Sequence, residues 1–224
     1  MPRESESPSE SASSVAGIPD RIPIFPLPSV VFFPRTYLPL HIFEPRYRRM
    51  IADAAATHQC IGMALLKDGW EEDYAGNPPI FSVGCVGRLI SLEPLPDGRS
   101  NILLQGVERF SVEEEFADRP YREARVRWRP TEPCAALSEA VREDLARWLE
   151  AYVRSREDGH RWRNLSAVGV HDEILINGLA TYLAWTPVEK QLLLEADGLE
   201  QRARRLIDLL RFALDDDRRP AGWN

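Results

Sequence analysis

RIPIFPLPSVVFFPRTYLPLHIFEPRY, residues 21–47, is the stretch on which the fold turns. Phe25, Phe32, Phe33, Tyr37, Phe43 and Tyr47 are interleaved with Pro23, Pro26, Pro28, Pro34, Pro39 and Pro45. Proline at this density excludes a helix and withholds the N–H donors that a central strand uses. The apolar content equally excludes a solvated linker. The expectation is an extended, kinked crossing in a groove of the fold, with short strands at Ile22–Phe25 and near Tyr37–His41. Pro45 suits a first helical turn. Tyr47, Met50, Ile51 and Ala54 then recur at helical spacing, predicting a helix from Pro45 to about Thr57.

Outward from this spine, residues 1–18 are rich in Ser, Glu and Pro without an apolar period and read as a disordered tail. On the other side, Cys60–Leu66 is short and nearly all apolar, as in a buried strand. The loop KDGWEEDYAGNPP follows, punctuated by Gly69, Gly76, Asn77, Pro78 and Pro79. From Ile80 the residues alternate: Phe81, Val83 and Cys85 share one face, and Val86, Ile90 and Leu92 continue in the opposite phase. The switch between Gly84 and Gly87 predicts a bulge or bend of the kind that closes small barrels. Pro96-Asp97-Gly98 marks a hairpin. Asn101–Val107 returns as a strand, and Gly106 precedes a further one carrying Phe110, Val112 and Phe116. In Tyr121–Arg129, Ala124, Val126 and Trp128 point inward and Arg125, Arg127 and Arg129 outward. This succession of short strands predicts a compact barrel or pseudo-barrel.

After Pro130–Pro133 the period becomes helical. Leu137, Val141, Leu145, Trp148, Leu149 and Tyr152 form one apolar stripe. A second helix is expected from Asp172, a third from the capping box Thr186-Pro187-Val188-Glu189, and a last one over Leu199–Leu214 after Asp197-Gly198. Strands followed by helices make the class α+β. Trp148 and Tyr152 on one stripe need an apolar surface, so the helical half is expected to dock on the strands.

The chain has 224 residues and a formal charge of −7, which works against nonspecific attraction to nucleic acid or anionic membrane. Cys60, Cys85 and Cys134 have neither a close pair nor zinc spacing, and fit reduced core thiols in a cytoplasmic protein. The N-terminus lacks the basic and apolar regions of a signal peptide, and no apolar run is long enough to span a bilayer.

Taken together, IPIFPLPSVVFFPRTYLPLHIFEPRY, IGMALLKD, FSVGCVGRLISLEPLPDGRSNILLQGVERF, PYREARV and LATYLAWTPVEKQLLLEADGLEQRARRLIDLL resemble the N-terminal, substrate-binding domain of the ATP-dependent Lon proteases. The resemblance runs from about Pro19 to Asp215, and LHIFEPRYRRMI is similar to the stand-alone bacterial members. It implies a PUA-like β pseudo-barrel over residues 19–131 and a C-terminal helical bundle over 132–215, with tails at 1–18 and 216–224. It also implies binding of unfolded or specific protein and peptide segments, in an adaptor or protein quality-control role, without catalysis or cofactor. No G-x-x-x-x-G-K-[ST] loop is present, and neither Lys67 nor Lys190 sits beside a recognisable nucleophile.

For peptide binding the candidates are Trp70 and Tyr74, aromatic residues in the turn-rich loop, and Phe33, Arg35, Tyr37 and Arg46, which flank the crossing. RNA binding is the alternative: Arg119, Arg122, Arg125, Arg127 and Arg129 lie near Tyr121 and Trp128. Glu113 and Glu115 are expected to pair across strands with Arg125 and Arg127, which would cancel that patch. An enzyme would need His41 or His171 in a cleft beside a carboxylate. The plainer readings are a core histidine for His41 and helix-start residues for His171-Asp172-Glu173. No metal site is expected.

Overall fold

The structure, a computed structural model, describes residues 15–73, 76–131, 136–156 and 171–217. Among the described residues six strands come first, interrupted by one α-helix and by a single 3-10 turn at Trp70–Asp73: β1 (Arg21–Leu27), β2 (Tyr37–Ile42), α1 (Pro45–Ala55), β3 (Cys60–Leu65), β4 (Val83–Pro94), β5 (Ser100–Phe116) and β6 (Glu123–Arg129). Among the described residues four α-helices follow: α2 (Glu139–Ser155), α3 (Asp172–Tyr182), α4 (Pro187–Leu194) and α5 (Gly198–Asp217). The sheet order is β2-β5-β4-β3-β1-β6, and β6 pairs with β5 as well. Five strands thus curl into a ring while β2 lies outside it on the first half of β5. The fold is mixed α/β, and its ring is not a clean barrel.

β1 is a central strand despite its prolines. Arg21–Pro23 pair with β6 and Ile24–Leu27 with β3. The N–H of Ile24 donates to the Arg122 carbonyl on the β6 side at 2.8 Å. Alternation then turns Pro26 toward that side beyond the end of the β6 ladder, and Pro23 toward β3 before its ladder begins. Each proline falls where no donor is required, so the expectation that proline bars a central position fails here.

The predicted break at Gly106 is also absent, since β5 runs unbroken for 17 residues. Glycine there admits a neighbouring backbone instead of ending a strand: an added Cβ would meet the Phe33 carbonyl oxygen at 2.1 Å. The expected irregularity in β4 is present, with register shifts at Val86/Gly87 and Leu89/Ser91.

The two faces of the ring strands bury different clusters. Ile22, Ile24, Cys60, Val86, Phe110, Ala124 and Val126 pack together on one face. Val15 and Ile18 join them, so the packed structure takes in residues before 19 expected to lie in a tail. Burial of two apolar groups outweighs the polar composition around them. The other face places Phe25, Phe33, Met63 and Leu104 in one cluster with Met50 of α1 and with Leu145, Leu179, Leu206 and Leu210 of the later helices.

A buried polar seam pins those helices to the sheet. Asn177 Nδ2 donates to the Pro34 carbonyl at 3.0 Å, Gln191 Nε2 to that of Val83 at 2.9 Å, and Arg109 Nη1 to those of Leu194 and Ala196 at 2.9 and 2.6 Å. Arg202, fully buried, donates to Asn177 Oδ1 at 2.7 Å and to the Leu193 carbonyl at 3.1 Å. The capping box at Thr186 and Glu189 starts α4 as read from the sequence.

Candidate functional site

A cleft of about 260 Å³ lies where the start of α1, residues 76–78 and the β5–β6 connection converge. Arg46 and Tyr47 come from α1, Asn77 and Pro78 from the loop, and Phe116, Arg119, Pro120, Tyr121 and Arg122 from the connection. Pro45 opens α1 and thereby sets Arg46 and Tyr47 on its first turn. The Tyr47 ring packs on Phe25 with centroids 4.1 Å apart, and the Arg46 guanidinium lies over Tyr47 at 4.6 Å.

Arg122 is the fixed base of this cleft. It donates through Nε to Asn77 Oδ1 and through Nη2 to the Pro78 carbonyl at 2.6 Å, with Glu115 Oε2 3.4 Å from Nε. Its Nη1 is buried without a hydrogen-bond partner among the described residues. An unpaired buried donor costs about 1–3 kcal/mol. Burial also lowers the basicity of the guanidinium, partly offset by Glu115.

The hydroxyl of Tyr121 donates to Asp53 Oδ2 at 2.9 Å. Burial, aided by that bond, pushes the Tyr121 pKa up to about 12. Asp53, hydrogen-bonded by Arg49 and then by Tyr121, is held below the ordinary carboxylate range.

The predicted peptide-binding residues do not form one site. Phe33 is fully buried, so it serves the core and not a contact surface. Arg46 lines the cleft. Trp70 is half-buried and folds back against the cluster containing Ile22 and Phe110, the plainer of the two readings open to an aromatic residue in that loop. Tyr74 lies outside the described residues, as do Cys134 and His160. Arg35 is exposed at the corner before β2, with its Nε 3.5 Å from Glu173 of α3.

Tyr37 is 51% exposed on β2, and Phe43, just beyond that strand, is 59% exposed. Tyr37, Pro39 and His41 share the outward face of β2, opposite Gln105, Leu103 and Asn101 of β5. The ring of Phe43 stacks beside that of His41 at 6.4 Å. The Gly106 N–H donates to the Thr36 carbonyl, so alternation turns the donorless nitrogen of Pro39 toward the free edge. Proline there blunts the edge against strand addition, and side chains are what this face offers.

The arginine row is compensated. Arg125 meets Glu114 at 2.7 Å, Arg127 meets Glu113 at 3.2 Å, and Arg129 meets Asp197 at 2.6 Å. A register shift at Val112/Glu114 moves the acids by one residue, so Glu114 takes the place expected of Glu113 or Glu115, and Glu115 turns to Arg122. A second, shallower depression holds Arg109, Arg127, Trp128 and Arg129, and Asp197 shares it.

His41 is exposed beside Asn101 Oδ1 at 2.8 Å, not in the core as expected. His171 caps α3, its Nδ1 accepting from the Glu173 N–H, as the helix-start reading anticipates. Neither stands in a cleft beside a carboxylate. Among the described residues no group of His, Cys, Asp or Glu is arranged to hold a metal, and no helix is long and apolar enough to cross a membrane.

Residues 21–211 match the profile of the family described as ATP-dependent protease La (LON) substrate-binding domain. The chain is 26% identical over 200 residues to Lon protease of Cytophaga hutchinsonii and 30% identical over 198 residues to that of Anaeromyxobacter dehalogenans. Each alignment covers 86% of this chain, but only 24% and 23% of those proteases, so the chain spans about a quarter of their length. Two solved structures share the fold. A Lon N-terminal domain protein from Xanthomonas campestris superposes with a TM-score of 0.63 at 24% identity, over 86% of this chain and 98% of that one. The N-terminal domain of Mycobacterium avium complex Lon protease gives 0.64 at 17%, over 85% and 98%.

Proposed function

The chain belongs to the LON substrate-binding domain family, and from that premise we propose that it binds protein segments in an extended or unfolded state. In this reading it recognises substrates as an adaptor or quality-control factor, and its architecture is a PUA-like pseudo-barrel carrying a helical bundle.

The observation that carries the reading is the outward face of β2 and β5. It exposes Tyr37, Pro39, Phe43 and part of Leu103 in one strip, with His41 and Asn101 as its polar members. Rings left in water on a regular sheet face mark a contact surface. Their burial by a partner is favourable by about 1.5–3 kcal/mol per side chain. The blunted edge beside them favours side-chain contact over strand pairing. RNA binding is the weaker reading, because a carboxylate stands against each arginine of the β6 strand, Arg125, Arg127 and Arg129.

The test is fluorescence anisotropy of a labelled, permanently unfolded test protein titrated with the intact chain. Tyr37→Ser combined with Phe43→Ser should weaken binding about tenfold or more, with an unchanged circular dichroism spectrum. Equal affinity for the native form of the same test protein, or no effect of the double substitution, would count against this face.

A further inference from the structure

We propose that the cleft between α1, residues 76–78 and the β5–β6 connection receives a carboxylate of the bound protein segment, either its C-terminal carboxylate or an Asp or Glu side chain. This rests on the reading that the chain binds protein segments, and it adds a chemical class to them.

The composition of the lining carries the inference. Arg46, Arg119 and Arg122 contribute guanidinium groups, and among the described residues no Asp or Glu lines the cleft. Each of these arginines has an acid near it that is not part of the lining. Glu44 is engaged by Arg46 at 3.0 Å, Asp53 by Arg49 at 2.9 Å and Arg119 at 3.5 Å, and Glu115 by Arg122. Asp118 and Glu123, beside the same connection, are both taken by Arg21.

Arg122 is held on Asn77 and Pro78 with one buried N–H unpaired. Arg122 therefore contributes a fixed positive charge at the base of the cleft, and direct bonds to a carboxylate fall to the partly exposed Arg46 and Arg119. A planar guanidinium presents paired donors matched to a carboxylate, and the bonds strengthen where water is thin.

The remaining walls select what accompanies the anion. Tyr47, Phe116, Tyr121, Pro78 and Pro120 form apolar sides. A space of about 260 Å³ admits a residue or two and excludes a folded surface. The chain's charge of −7 disfavours a polyanion at the same place.

Three peptide probes test the proposal by anisotropy on the intact protein. One is an N-labelled pentapeptide ending Ala-Leu-Phe with a free carboxylate, the second its C-terminal amide, and the third that amide with one internal Glu. The free acid or the Glu peptide should bind at least tenfold tighter than the neutral amide, and which of them does so identifies the source of the carboxylate. Arg119→Gln and Arg46→Gln, on partly exposed side chains that leave the buried Arg122 in place, should each erase most of that difference. Neither should release the unfolded test protein from the β2–β5 face.

Equal binding of all three peptides, with the unfolded protein still captured, would overturn the carboxylate site and leave protein binding standing. Binding of neither peptides nor unfolded protein would overturn both. Arg119-dependent binding of a short oligouridine in preference to every peptide would also overturn it, assigning the cleft to phosphate.

Discussion

Gly106 of β5 lies flush against the carbonyl of Phe33, whose oxygen would be 2.1 Å from any Cβ placed on it. The Arg35 N–H donates to the Gly106 carbonyl and the Gly106 N–H to the Thr36 carbonyl, both at 2.9 Å. Arg35 turns the corner at φ 62, in the left-handed region. The proline-broken crossing is thereby seated on the longest strand. Gly106→Ala should therefore cost about 1–3 kcal/mol or more, because backbone must move. Gly178→Ala in α3, where a Cβ meets nothing within 4 Å, should gain about 0.5–1 kcal/mol. Urea midpoints of the two variants should move in opposite directions; a shift of the same sign would mean that the crossing is not seated this way.

The same crossing is tied to the helical half through Asn177, which bridges the Pro34 carbonyl and Arg202. Burial pushes the Arg202 pKa down to about 9, which reflects how poorly that interior tolerates its charge. Asn177→Leu removes one of its acceptors and leaves the Pro34 carbonyl without this donor. The expected loss is about 3–5 kcal/mol, the cost of uncovering a buried charge. Since the apolar cluster is continuous from Phe33 to Leu210, fragments 1–131 and 132–224 should not melt separately at the temperature of the intact chain. Calorimetry of both fragments checks this.

Much of this was legible because it depends on neighbours in sequence. The stripe of Val141, Leu145, Leu149 and Tyr152, the cap at Thr186 and the start of α1 at Pro45 all follow from helical spacing and local hydrogen bonds. Errors entered where a distant segment decided the outcome. Gly106 reads as a breaker until Phe33 is laid against it, and whether Trp70 is exposed or folded back is undecided until the ring strands supply a surface. A single-residue register shift after Val112 changed which glutamate each arginine meets. The cleft was the least legible feature: its arginines, at 46, 119 and 122, meet only because α1 packs beside the ring and β6 pairs with β1. The one local clue was arginine density in Arg119–Arg129, which pointed to a surface patch.

His58 supplies a pH dependence. Its Nδ1 accepts the Cys60 N–H at 3.1 Å, and burial lowers its pKa below the ordinary value of 6.5, with Glu123 opposing. The folded state therefore binds this proton less readily than the unfolded one. Its contribution to stability is complete above pH 6.5 and is lost as the pH falls through the lower folded value. His58→Gln should flatten the change in urea midpoint between pH 7 and 5 relative to the parent. An unchanged slope would assign that loss to other groups.

The glutamates opposite the arginine row matter more for binding than for stability. Glu114 and Glu113 face Arg125 and Arg127 as solvent-exposed pairs at 2.7 and 3.2 Å. Such pairs contribute about 0–1 kcal/mol each, since water screens them and two long side chains must be ordered. Glu113→Gln with Glu114→Gln should accordingly leave the melting temperature nearly unchanged. It does, however, release the guanidinium groups of Arg125 and Arg127, the first of which lies over the Phe116 ring at 5.6 Å. Retention of the double variant on heparin should rise and fall away with salt, while the parent elutes early. Equal retention of the two proteins would mean that the acids do not neutralise the row. RNA binding would then be assigned to the strand from Glu123 to Arg129.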